Sequence, residues 1–111
     1  MEYKKSDTQE IIKHLSKYFR RSKNREVYVL MIIKNDWDGN ENSYIIRYAK
    51  ENTKSISTVK HLIEVIGIDL EDAVYKMYLK VNELSKIGKI RGKEWIGNVE
   101  YEIDILKTNR I

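Results

Sequence analysis

The chain has 111 residues, of which 41% are hydrophobic and 34% charged, with a formal net charge of +4. That length supports one modest core and excludes two independent ones, and the composition excludes a collagen-like or wholly disordered chain. There is no cysteine, which removes disulfides, thiolate zinc sites and cysteine nucleophiles together, and no apolar run is long enough to span a bilayer.

Met1 to Lys5 runs into a polar helical pattern rather than a leader with a cleavage site, so a cytoplasmic, intracellular protein is expected. Fifteen Lys against six Arg, with 16 Ile and 8 Asn, is the usage of an AT-rich genome and suggests a virus or mobile element. The basic excess is local. Residues 1–25 carry a net charge of +5 and residues 26–111 a net of −1, the footprint of a patch that meets phosphates or another acidic surface.

The first element is a basic amphipathic helix over about 7–22. Ser6 or Asp7 caps it, and Gln9 and Glu10 in its first turn complete a capping-box arrangement. Ile11, Ile12, Leu15, Tyr18 and Phe19 fall on one arc and Lys13, Lys17, Arg20 and Arg21 on the opposite one. Glu26 to Lys34 is a near-continuous β-branched and aromatic run, the pattern of a strand buried on both faces. Asn35 to Asn42 is a turn cluster, and Ser43 to Lys50 returns as a second strand, so a hairpin spans 26–50.

Two helices are predicted over 58–87. Val59, Leu62, Ile63 and Ile66 take the i, i+3, i+4, i+7 spacing, with Ser57 as cap and Gly67 as stop. Asp69 then caps a longer helix to about Ile87, ended by Gly88, whose buried arc holds Leu70, Ala73, Val74, Met77, Val81 and Leu84. Tyr75 and Leu79 lie on its polar side and mark a second contact surface. A C-terminal hairpin over 89–107 turns at Gly97-Asn98, placing Lys93 opposite Glu102 and Arg91 opposite Asp104. The expectation is a single α+β domain in α-β-β-α-α-β-β order, antiparallel hairpins packed with helices.

Catalytic chemistry has little support in these residues. His14 and His61 stand alone, with no second histidine at ligand spacing, so both read as structural and none of the tyrosines gains credit as a nucleophile. Asp36, Asp38, Asn40 and Asn42 imitate the start of a calcium loop, but Glu41 stands where glycine is needed and Arg47 where the bidentate acid belongs. Glu100, Glu102 and Asp104 share one strand face and are explained by the lysine and arginine opposite them. There is no Gly-rich phosphate loop. No enzyme activity, metal or cofactor is expected.

From Thr58 the predicted order helix, turn, helix, hairpin resembles the winged helix-turn-helix family. Val59 to Asp69 looks like its first motif helix and Gly-containing turn, Glu71 to Ile87 its recognition helix and Arg91 to Ile105 its wing. The resemblance covers residues 58–105 and gives the C-terminal half a winged-helix-like form. It implies that Tyr75, Lys76, Leu79, Asn82 and Lys86 approach the major groove, and that Lys89, Arg91 and Lys93 contact phosphates. The long helix departs from the pattern, being about one turn longer and carrying Glu71, Asp72 and Glu83 on its exposed arc. A second similarity, to the WGR domain through Tyr28 to Tyr48 and Ala73 to Trp95, lacks the Trp-Gly-Arg triplet.

Together these features predict a small non-enzymatic DNA-binding protein, a transcriptional regulator of homodimeric form. Lys13, Lys17, Arg20 and Arg21 supply phosphate contacts and Tyr75 and Leu79 an interface. The alternative is an accessory or inhibitory factor whose basic helix docks on an acidic protein. No membrane partner is expected.

Overall fold

Helix α1 runs from Thr8 to Leu15 and contributes Ile11 and Leu15, both without solvent exposure, to the core. The computed structural model describes residues 2–21, 26–34, 43–51 and 61–97. Within them, strands β1 (Tyr28–Lys34), β2 (Tyr44–Lys50) and β3 (His61–Gly67) form an antiparallel sheet in that order. Helix α2 (Leu70–Lys86) follows β3, and two short strands, β4 (Ile90–Arg91) and β5 (Glu94–Trp95), form a separate antiparallel pair. The architecture is thus the expected α+β mixture, in the order α-β-β-β-α-β-β.

One element changes type. The helix predicted over 58–66 is strand β3 across its described part, 61–67. Short apolar runs fit both periodicities, and length and β-branching arbitrate between them. Here the run His61-Leu62-Ile63-Glu64-Val65-Ile66-Gly67 is rich in branched residues and finds a partner edge on β2, where Ile46 faces Val65 and Tyr48 faces Ile63. On the opposite face Arg47 meets Glu64 at 2.7 Å, both side chains largely withdrawn from water. The helix-turn-helix order on which the winged-helix resemblance rests is therefore not found in residues 61–86, where a strand precedes α2. Gly67 ends the strand tightly against α2. A Cβ there would run into the backbone nitrogen of Ala73 and lie 2.5 Å from its Cα.

The N-terminal helix is shorter than predicted, ending at Leu15 rather than near residue 22. Beyond it the amides of Lys17 and Tyr18 donate to the carbonyls of His14 and Leu15, the tighter i to i+3 pattern. Phe19 then takes a left-handed φ of 61° and buries its ring completely. Tertiary bonds displace helical ones here. The Tyr48 hydroxyl donates to the Leu15 carbonyl at 2.6 Å, and the Phe19 amide donates to the Lys93 carbonyl at 2.8 Å. Asp7 occupies the N-cap position, but its carboxylate accepts from the Lys4 amide at 2.8 Å rather than from the helix.

Among the described residues, strand β1 is an edge of the three-stranded sheet rather than buried on both faces. Tyr28 is buried, but Ile32 is 39% exposed. It pairs with β2 in the predicted hairpin, with Leu30 opposite Tyr48. Helix α2 matches its predicted limits. Asp69 is extended and accepts from the Asp72 amide at 2.8 Å, while the Asp72 carboxylate accepts from the Ile68 amide at 3.0 Å. That backbone hydrogen bond, then the Lys76 ammonium, holds the Asp72 carboxyl below its ordinary range. At the other end Gly88, with φ of 82°, closes a Schellman turn in which the Lys89 amide reaches the Leu84 carbonyl. The helix buries the expected Ala73, Val74, Met77, Val81 and Leu84, together with Tyr78.

The C-terminal hairpin turns earlier than predicted. Arg91 pairs with Glu94 across a two-residue Gly92-Lys93 turn in which Gly92 has φ of 63°, a glycine at the first central position as a type II′ turn favours. The Gly97-Asn98 turn, the pairing with Glu102 and Asp104, and the acids Glu100, Glu102 and Asp104 lie outside the described residues, as do the Asn35–Asn42 cluster with its calcium-like spacing and the Ser57 cap.

Candidate functional site

Phe19 organises a strongly charged surface of the described structure. Its ring meets Tyr48 edge-on at 4.6 Å and Trp95 at 5.9 Å, so it joins the end of the first helical segment to the sheet and to the β4–β5 hairpin. Its backbone is held on both sides. The amide donates to Lys93 and the carbonyl accepts from the Tyr28 amide at 3.0 Å. The residues flanking this anchor are fixed against the hairpin although more than 70 positions separate them in sequence.

The result is a cleft of about 310 Å³ lined by Lys17, Arg20, Arg21, Arg91, Lys93 and Glu94. None of its five cations forms an ion pair within 4 Å among the described residues, although Lys5, Arg47, Lys50, Lys76 and Lys80 all do. Five like charges in one concavity, offset by a single carboxylate, focus a positive potential that favours an anion. The arginines add planar donor forks suited to phosphate or carboxylate, which lysine offers only as a point charge.

An aromatic group is carried by the same chain segment. Tyr18 is bonded to Lys17 and Phe19, and its ring lies 5.2 Å from His14, which in turn lies 5.4 Å from Tyr3 and 6.1 Å from Tyr78. Tyr3, His14 and Tyr18 are half-buried, while Tyr78 is buried and accepts the Tyr3 amide at 3.2 Å. Burial, then the charges of Lys93 and Lys17, lower the His14 pKa below its ordinary value. His14 is therefore mainly a neutral ring at pH 7.

The predicted contact residues divide into three groups. Lys17, Arg20, Arg21, Arg91 and Lys93 converge on the cleft; Lys13 is exposed on α1 but does not line it. Lys76 lies elsewhere, tied to Asp72 at 3.0 Å and donating to the Ile66 carbonyl. Lys86 is exposed, and Asn82 and Lys89 are half-buried outside the cleft lining. The predicted interface residue Leu79 is 48% exposed and lines a shallow groove with Val65, Ile66, Lys76, Lys80 and Glu83, whereas Tyr75 is half-buried against Tyr78 at 5.9 Å.

Sequence analysis missed Glu94 as a lining residue and did not join the N-terminal cations to the hairpin. The available signal was Arg91-Gly92-Lys93-Glu94, a Gly-X turn between opposite charges. His61 lies 3.9 Å from Glu64. No group of three or more His, Asp or Glu side chains placed to hold a metal occurs among the described residues, and none of their helices is long and apolar enough to cross a membrane. No protein-family model, curated protein or solved structure matches this chain.

Proposed function

We propose that this protein binds nucleic acid, DNA in the first instance, through phosphate contacts in the Lys17–Arg20–Arg21–Arg91–Lys93 cleft. The observation that carries the reading is the convergence, from two distant segments, of five cations that form no ion pair among the described residues. Such charges raise the local positive potential, and they gain most from a polyanion that releases its own counterions on binding. Phosphate contacts position a protein without specifying sequence. The regulatory role expected from sequence therefore needs base contacts that the cleft alone does not supply.

Fluorescence anisotropy with labelled random-sequence DNA at about 50 and 200 mM salt tests this reading. Five phosphate contacts give a duplex slope of about −4.5 in log K against log salt, a loss of roughly 500-fold over that range. Changing Arg20 and Arg21 together to Gln is expected to flatten the slope by about two. Absence of binding at 50 mM salt would refute the proposal.

One observation favours a protein partner as the second reading: Ile66 and Leu79, 45% and 48% exposed, line an apolar groove flanked by Lys76 and Lys80. An acidic partner with an apolar anchor, or a second copy of the chain, would suit it. Sedimentation analysis of the protein alone reports on the expected homodimer.

A further inference from the structure

We propose that the cleft and the rings beside it form a site for one nucleic-acid strand rather than a duplex, with phosphate among the cations and a base against Tyr18. This deepens the nucleic-acid reading above and rests on it. Proteins that hold single strands combine a cationic groove that follows the backbone with aromatic faces on which bases stack. Both parts are present here and share a chain segment, since Lys17 and Tyr18 are adjacent and Tyr18 packs on His14 and Phe19.

Two features argue against a duplex. Reading a duplex through the major groove takes an exposed helix or ribbon about as wide as the groove, but α2 does not line the cleft, and its Lys76 and Lys80 are engaged with Asp72 and Glu83. Glu94 lines the cleft among the cations. A second phosphate backbone would be repelled there, whereas a base amino group or sugar hydroxyl of one strand could donate to it.

The state of His14 serves the same end. Its ring packs between Tyr3 and Tyr18, and with its pKa lowered by burial and then by the charges of Lys93 and Lys17 it adds ring surface without further charge.

Binding of the full chain to fluorescein-labelled oligo(dT) of 20 nucleotides and to a 20-base-pair random duplex, both by anisotropy at 100 mM salt, tests the proposal. The single strand is expected to bind at least tenfold more tightly. Tyr18→Leu should weaken single-strand binding by roughly 5- to 100-fold, the range of one lost base stack, with duplex binding unchanged. Tyr18→Phe, which keeps the ring and its packing, should retain binding and serves if the leucine variant unfolds. Equal or tighter duplex binding overturns strand selectivity while leaving the nucleic-acid reading intact, as does a folded Tyr18→Leu protein with unaltered affinity. Binding to neither probe, even at 50 mM salt, overturns both.

Discussion

Phe19 joins the first helical segment to the sheet and to the β4–β5 hairpin. It sits at a positive φ, which costs a residue with a Cβ about 1–2 kcal/mol. The cost is offset by full burial of the ring, edge-on contacts to Tyr48 and Trp95, and backbone bonds to Lys93 and Tyr28. Phe19→Ala should lower stability by about 3–5 kcal/mol, read from the urea midpoint at constant m-value. The same variant should lose DNA affinity without losing a cation, because the ring positions Lys17, Arg20 and Arg21 against the hairpin. Phe19→Leu keeps most of the apolar volume and should fall between the two. A variant that unfolds at the wild-type midpoint would show that the anchor is redundant.

At the scale of elements, the two helices begin by different means. Helix α2 starts with Asp69 accepting from Asp72 and Asp72 accepting from Ile68, so two amides that lack helical partners are satisfied from within the first turn. Helix α1 lacks such a side-chain cap, and Asp7 instead ties back to Lys4. Asp69→Ala is expected to cost about 1 kcal/mol, and Asp69→Asn much less, since asparagine caps nearly as well. Thermal unfolding of the two variants side by side measures the difference; equal melting temperatures would locate the stability of α2 in its packing alone. The strand before α2 is held by pairing with β2 and by the Arg47–Glu64 contact. That arrangement is unavailable to an isolated 58–67 segment, which explains why its local pattern misleads.

Over the whole molecule, buried phenols and clustered cations set opposite sensitivities to solution conditions. Burial raises the pKa of Tyr48 and of Tyr28, and the Tyr28 hydroxyl also donates to Glu26 at 2.6 Å; Tyr18 is raised mainly by burial. A phenol whose folded pKa exceeds its unfolded value keeps its proton longer in the native state. Its contribution is fully present below the unfolded value of about 10 and is lost as pH rises toward the folded one. Urea unfolding should therefore give a steady midpoint from pH 8 to about pH 10 and a falling one above it, with tyrosinate absorbance appearing together with unfolding. Tyrosinate absorbance rising fully while the chain stays folded would contradict the burial of these hydroxyls. The cation cleft responds to salt instead, since its charges are exposed and screened within a Debye length of about 10 Å at 0.1 M.

Sequence by itself determined those features that depend on local chemistry. The limits of α2 follow from Asp69 and Gly88, whose cap and left-handed turn are local needs. The β1–β2 hairpin follows from its branched, alternating residues, and the inward pair Ile11 and Leu15 from helical spacing. Only the tertiary structure decided the rest. An apolar run of seven residues satisfies strand and helix periods alike, so residues 61–67 became a strand because β2 offered backbone partners and a buried charge for Glu64. The first helix ended at Leu15 because the Tyr48 hydroxyl, the Lys93 carbonyl and an aromatic pocket for Phe19 replaced the bonds of about two further turns. The cleft itself joins residues 17–21 to 91–94. Such a union depends on distances through space, which periodicity along one segment does not encode.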